Sequence, residues 1–394
     1  MRTFPRIAML SSHVGLGHAA RDLAIARALR RLSSSTSIVW ITASPARELL
    51  ELEGERVHEV SYELESITPF IERFVEQGFH IALARDLIAT LRRNFERIVE
   101  SIDFDEFDAV FADEFWELVL CGQHLRRLTV FGTDFVLLPL SVGVPAILFN
   151  RAFVKRLSEF RRVLLLNIVE DTVKGLTAFI SGIASFRRWV ERHCKVVGLA
   201  TSFLCDELPE RESARRELGV DEDEKLVVVA LGGSRARCTE FVEKVSRALE
   251  AVSRELKSVR VVYVLGPRAR AVHVSRGEVR TLVRLEDMWR LYVAADLFIA
   301  RAGRTTTADL ECCGTPALII PIAKHAEQKH IARSVARRRR DIFTYIDEGS
   351  SVDEIAKAIE RMLARSRAQK CLEHCCGVVE AAREILEIAR SGPI

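Results

Sequence analysis

The stretch LFIARAGRTTTADLECCGTPALIIP, residues 297–321, decides the fold. Leu297–Ala300 is a short apolar run, long enough for a buried strand. Thr305–Cys313 follows as a helix, and Ala317–Pro321 is a second apolar run. Between them lies a turn carrying Arg301, Gly303 and Arg304. Strand, glycine-bearing turn, helix and strand in this order make a βαβ unit, with parallel strands and a helix on one face.

The same alternation extends on both sides. Leu226–Leu231 reads as a strand, Gly232-Gly233-Ser234 as its turn, Thr239–Glu255 as a helix and Arg260–Leu265 as the next strand. Near the start, Arg6–Ser12 is a strand and Ala19–Leu32 a helix, with Leu23, Ala24, Ala28 and Leu29 at helical spacing. Ser37–Thr42, Asp108–Ala112 and Thr129–Thr133 read as further strands, and Pro45–Leu52 and Ile81–Val99 as helices. The expected architecture is α/β: two Rossmann-like parallel-sheet domains, over 1–197 and 198–394. The acidic stretch Cys205–Lys225 lies between the two sets of strands, and the last helix is free to return to the N-terminal domain.

Composition agrees with two ordinary cores. The chain has 394 residues, 48% hydrophobic and 29% charged, too long for one domain and too apolar for disorder. A net charge of +3 gives no broad basic footprint, so nucleic acid is not an expected partner. Of the 58 basic residues only 10 are Lys. No apolar run reaches the roughly 18 residues of a membrane span, and no signal segment is recognised. Nine cysteines then point to a cytoplasmic, mostly reduced protein. Cys371, His374, Cys375 and Cys376 crowd one segment, but their spacing fits no standard zinc module, and no metal site is expected.

Two strand-to-helix turns carry the chemistry. In Ser11-Ser12-His13-Val14-Gly15-Leu16-Gly17-His18, the glycines let a ligand approach the backbone, and the helix start offers free N–H groups. His13 and His18 flank the glycines. An imidazole at a positive helix end is expected to have a lowered pKa, which suits a general base near neutrality. Gly15, Gly17 and Ala20 also fit the dinucleotide fingerprint, but strand two ends without the acid that would hold a ribose. In the second turn, Arg301, Gly303, Arg304, Thr305 and Thr306 can all present donors to phosphate oxygens. Asp309 follows within two helical turns, within reach of a ribose diol. The acids Asp113 and Glu114 follow the Asp108–Ala112 strand, where α/β sheets place site residues; they also suit a helix cap.

These residues resemble the GT-B glycosyltransferases of family twenty-eight, the bacterial lipid-I N-acetylglucosaminyltransferase type. The carrying segments are Gly15–Leu29, Ala230–Ser234 and Ala295–Arg333, with Asp113-Glu114 and Thr133-Asp134-Phe135 as weaker echoes. The resemblance implies a nucleotide-sugar donor, UDP-linked, carrying a hexose or N-acetylhexosamine. It places the donor on the C-terminal domain and an acceptor, lipid-linked in the family, against the N-terminal one. Gly232, Gly233 and Ser234 would line the diphosphate, and Gly303, Thr305 and Thr306 the α-phosphate. Asp309 would hold the ribose, where the family more often has Glu, and Glu327 and Gln328 the sugar hydroxyls. Arg301 or Arg304 would steady the leaving diphosphate without a metal or resident cofactor. His18 matches the histidine closing the family's glycine loop and is the first choice of base, with Glu114 or Asp113 second. His13, Gly15, Gly17 and Asp134 fall on the acceptor side. The loop His13–His18 departs from the family's Gly-Gly-Thr-Gly-Gly-His.

Three other functions share parts of this pattern. A nucleotide-sugar epimerase or a non-catalytic nucleotide-sugar binder would use the same fold, and an NAD(P) oxidoreductase would use the first glycine turn. A hydrolase built on Ser234 leaves the first loop unexplained. Metal-dependent transfer lacks a well-placed Asp-x-Asp. The segment Ile67–Val99 mixes apolar residues with Arg85, Arg92 and Arg93, so it could pack on the N-terminal sheet or rest peripherally on a membrane.

Overall fold

The computed structural model describes residues 5–391 apart from 79, 121, 138–143, 173–185, 231–237, 256–257, 266–277, 282–283 and 369–372. The chain forms two compact units, Met1–Leu204 with His374–Ile394, and Cys205–Glu373.

The first unit holds six parallel strands: β1 (Arg6–Ser11), β2 (Ser37–Ile41), β3 (Ala109–Asp113), β4 (Thr129–Thr133), β5 (Arg162–Leu165) and β6 (Cys194–Val196). Their order is β2-β1-β3-β4-β5-β6. Every residue of β3 and β4 is buried, as expected for strands covered on both faces. The helix Gly17–Leu32 buries Leu23, Ala24, Ala28 and Leu29. Gly15 enters it at φ +74, a conformation that favours glycine. Strand order reverses at β1, so the crevice beyond the carboxyl ends of β1 and β3 is where such a sheet receives a ligand.

The Ile67–Val99 region is two helices, Thr68–Gln77 and Ile81–Ser101, divided at Gly78. The first buries no residue; the second buries Leu83, Leu91, Asn94 and Ile98 along one stripe. Among the described residues, no helix is long and apolar enough to cross a membrane.

The domain limits differ from the expected boundary at 197. Residues 198–204 and 374–394 belong to the first unit. The cause is a close backbone crossing. Leu199 N–H donates to the His374 carbonyl at 2.8 Å. A Cβ on Gly377 would lie 2.4 Å from the Leu199 carbonyl oxygen, and one on Gly198 would lie 2.6 Å from that of His374. Only glycines permit this approach. The helix Gly377–Ser391 then packs on Gly17–Leu32, and its Glu384 pairs with Arg162 and with Lys195 at 3.2 Å.

The second unit holds β7 (Lys225–Ala230), β8 (Val259–Leu265), β9 (Glu278–Thr281), β10 (Leu297–Ala300), β11 (Ala317–Ile319) and β12 (Phe343–Tyr345). All are parallel, in the order β12-β11-β10-β7-β8-β9, so the reversal falls between β7 and β10. Val227, Val229, Val245, Leu249, Ile299, Leu318, Ile355 and Ile359 share its core. Cys312 and Cys375 are each disulfide-bonded, while Cys194, Cys205, Cys313 and Cys376 are not. Cys371 lies outside the described residues.

Candidate active site

At the carboxyl ends of β1, β3 and β4 the first unit gathers a connected set of charged side chains. Asp113 is the last residue of β3 and pairs in register with Ser11 of β1 and Gly132 of β4. Its carboxylate accepts from Arg21 twice, Nε to Oδ2 at 2.7 Å and Nη2 to Oδ1 at 2.6 Å. The Nδ1 atom of His18 lies 3.0 Å from Asp113 Oδ2. His18 and Arg21 are three apart on one helix, so both point to the same face and reach one carboxylate. Arg21 Nη1 also donates to both oxygens of Asp134 at 2.7 Å. Asp113, Arg21 and Asp134 are all buried.

Glu114 has φ +41, an unusual value for a residue with a side chain. Its N–H donates to the Gly132 carbonyl, and its Oε1 accepts from Thr133 Oγ1 at 3.0 Å and Asp134 N–H at 2.8 Å. The other oxygen, Oε2, lies 3.9 Å from His18 Nε2. Arg21 Nη2 also lies 3.0 Å from His18 Nδ1, so with Nδ1 occupied by Asp113 and Arg21, Nε2 is the His18 nitrogen left to meet a substrate.

The electrostatics correct one expectation. Burial opposes charge on His18, yet the Asp113 carboxylate outweighs it, against Arg21 and with help from Glu114. The imidazole is pushed up to about 9 rather than lowered. At the helix end the carboxylates, not the peptide dipole, decide its charge. Burial also works against charge on Asp113, but Arg21 and then His18 hold its carboxyl well below the usual range. Asp113 is therefore a fixed anion that orients the imidazole, with both oxygens occupied. Glu114 is raised by burial, with Asp134 and Asp113 adding to it against His18. Asp22, buried and accepting from Ser11 Oγ at 2.6 Å, is raised well above the usual range by burial and by Asp113.

The other loop residues do different work. His13 is buried; its Nδ1 accepts from Ile67 N–H at 3.2 Å, so its Nε2 is the donor to Glu117 at 3.1 Å. Its carbonyl accepts from Thr68 Oγ1 at 2.6 Å. His13 thus ties the glycine loop to the start of the Thr68–Gln77 helix and does not open toward an acceptor. Asn94 donates to the same Glu117 oxygen at 2.9 Å. Asp134, expected on the acceptor side, is spent on Arg21. Gly15 and Gly17 form the turn and helix start. Sequence reasoning missed Arg21 and Glu117; the signal for Arg21 was its three-residue spacing from His18.

In the second unit, Gly303 caps the helix Arg304–Cys313 just beyond the carboxyl end of β10, at the strand-order reversal. Thr305 and Arg304 are buried and Thr306 half-buried. The Arg301 guanidinium has partners on neighbouring segments. It donates to the Ile320 carbonyl at 3.0 Å and to Glu348 Oε1 at 2.6 Å, and lies over the Phe241 ring at 3.9 Å. Glu348, absent from the sequence reasoning, also accepts from Ala323 N–H at 2.9 Å. Asp309 is buried beside the Tyr292 hydroxyl, which also bonds Thr306. Burial and then Asp309 raise that phenol well above its ordinary value. Gln328 Oε1 accepts from Ile322 N–H at 3.0 Å, and Glu327 beside it is half-buried. Gly232, Gly233 and Ser234 lie outside the described residues. Among the described residues no group of three or more His, Cys, Asp or Glu side chains forms a metal site.

Comparison with known proteins agrees with this architecture. Residues 226–385 match the glycosyltransferase family 28 C-terminal domain. An uncharacterized glycosyltransferase of Methanopyrus kandleri is 30% identical over 40% of the chain and 44% of its own length. The UDP-N-acetylglucosamine–N-acetylmuramyl-(pentapeptide) pyrophosphoryl-undecaprenol N-acetylglucosamine transferase of Acetivibrio thermocellus is 24% identical over 95% of each chain. Among solved structures, MurG of Acinetobacter baumannii aligns over 98% of the chain and 99% of its own, with TM-score 0.52 and 16% identity. Arabidopsis thaliana UGT89C1 aligns over 99% and 96%, with TM-score 0.59 and 14% identity, which speaks to fold alone. The chain is a glycosyltransferase of the GT-B fold. Within that class it is similar to the MurG-like N-acetylglucosamine transferases, and the family 28 match lies in its C-terminal part.

Proposed function

We propose that this enzyme transfers a hexose or N-acetylhexosamine from a UDP-linked donor to an acceptor hydroxyl, with inversion and without a metal. The observation that carries the reading is the Asp113–His18 contact at the strand-order reversal, with Nε2 of His18 left for a substrate. In a single displacement the acceptor oxygen bonds the anomeric carbon while the bond from that carbon to the diphosphate oxygen breaks. The acceptor proton passes to His18 Nε2 and the diphosphate leaves with the electron pair. Asp113 stabilises the imidazolium that forms, as a buried carboxylate does in other His–Asp pairs. One base and one displacement invert the anomeric centre.

On the second unit, the N–H groups opening the helix at Gly303, with Thr305 and Thr306, are suited to the departing diphosphate. That supply of donors supports transfer without a metal. The pairing of Arg301 with Glu348 favours a supporting role for it, holding the strand ends. A lipid-linked acceptor accords with the pyrophosphoryl-undecaprenol acceptor in the name of the Acetivibrio relative, and peripheral attachment to the cytoplasmic face of a membrane would bring the enzyme to such an acceptor. The weakly buried helix Thr68–Gln77 is the segment suited to such contact.

The test is a thermal-shift titration of the full chain with UDP, GDP and NAD, repeated with Asp309→Asn. A ligand at 100 times its Kd stabilises by about 2.7 kcal/mol. A UDP shift weakened in the variant supports the donor site; a shift with NAD alone overturns it. Release of UDP that depends on an added acceptor separates transfer from epimerisation, which converts the sugar without release.

A further inference from the structure

The run Arg337–Arg340 divides sharply in the folded chain. Arg338 is held by Glu311, with Nη2 to Oε2 at 2.7 Å, and Arg339 by Asp341 at 2.7 Å. Arg337 and Arg340 turn instead to a cavity of about 500 Å³, joined there by Arg333 and Arg365. Among the described residues no carboxylate is ion-paired with any of these four. Arg365 Nη1 donates to the Arg340 carbonyl at 2.9 Å, which fixes one guanidinium at the rim. Phe343 and Tyr345 of β12 line the cavity between the charges. β12 is the outermost strand, with β11 and β10 between it and β7.

Four like charges around one open hollow repel one another, and an anion bound among them relieves that repulsion. Guanidiniums match phosphate oxygens with paired N–H donors, and carboxylates on a protein partner offer fewer oxygens per volume. The hollow is open to solvent, and its volume is that of a small-molecule site. We propose that this arginine-lined cavity beside β12 binds a small ligand carrying at least two phosphoryl groups. The site is separate from the turn at Gly303 and does not depend on the donor assignment.

The experiment is calorimetric titration of the full chain with inorganic pyrophosphate at constant ionic strength, compared with Arg337→Gln/Arg340→Gln. Both side chains are exposed, so the variant is expected to fold, and an unchanged melting temperature without ligand checks it. Saturable binding that weakens tenfold or more in the variant is the expected result. No saturable binding, or equal affinity in the variant, overturns the proposal, the latter because the anion then sits elsewhere. Arginines that only shield the open edge of β12 would make the variant self-associate with no change in anion binding, which also refutes it. Binding to vesicles of anionic lipid through these arginines, with none to pyrophosphate, would do the same.

Discussion

A histidine base held near pKa 9 makes a quantitative demand on the pH dependence of the reaction. At pH 7 about 1% of His18 is neutral, at pH 8 about 10%, and at pH 9 half. If neutral His18 takes the acceptor proton, kcat/KM rises about tenfold from pH 7 to pH 8 and about fivefold more to pH 9, then levels. The perturbation is Asp113→Asn. Asn keeps the shape but not the charge, so the largest contribution raising the imidazole is removed while burial and Arg21 still oppose its charge. The limb then moves to lower pH, and the plateau falls on the order of 10²–10⁴-fold because the carboxylate that does most to stabilise the imidazolium is gone. Removing Asp113 also leaves Arg21 with Asp134 as its carboxylate partner, so His18→Gln serves as the second variant; its side chain is 16% exposed, and Gln keeps a polar group there. The assay is acceptor-dependent release of nucleoside diphosphate between pH 5.5 and 10. A wild-type rate flat from pH 7 to 9, or a limb that persists in His18→Gln, refutes the base assignment. A limb that persists there and disappears in Glu114→Gln would move the role to Glu114.

Three other outcomes are expected. The raised pKa of His18 adds about 3 kcal/mol of stability, fully present below pH 6.5 and lost as pH rises through about 9; urea midpoints measured across that range should fall with pH in wild type and stay flatter in His18→Gln. Gly377→Ala forces a Cβ onto backbone at 2.4 Å and should cost about 2 kcal/mol or more, read as a lowered melting temperature; an unchanged midpoint would mean the crossing at Leu199 is looser than described. Thr306→Val should weaken UDP binding about tenfold, the worth of one hydrogen bond to a charged group, with little change in the rate at saturating donor; equal UDP affinity would remove Thr306 from the donor turn.

The sequence by itself determined the two-domain α/β plan and the strand-to-helix turns. Runs such as Leu226–Leu231 and Leu297–Ala300 are apolar throughout because parallel strands are covered on both faces, and that pattern survives in one dimension. The strands β5, β6, β9 and β12 are as short as β10 and β11, but Arg162, Lys195, Glu278, Arg280 and Thr344 interrupt their apolar pattern, and they exist because neighbours already in place accept them. His18, Asp113 and Glu114 were legible because strand ends and glycine turns mark where a sheet of this kind meets a ligand. Their charge states were not. The pKa of His18 depends on a carboxylate 95 residues away, on Arg21 and on burial, and these add only once β1 and β3 lie side by side. The same holds for His13, which the loop suggested as a ligand and the packing turns inward to Ile67 and Glu117. It holds for Arg301, which Glu348 claims, and for the return of the Gly377–Ser391 helix, which two glycines allow. Periodicity is local and the sequence records it; electrostatics and close approach are sums over neighbours distant in the chain, which only the tertiary structure assembles.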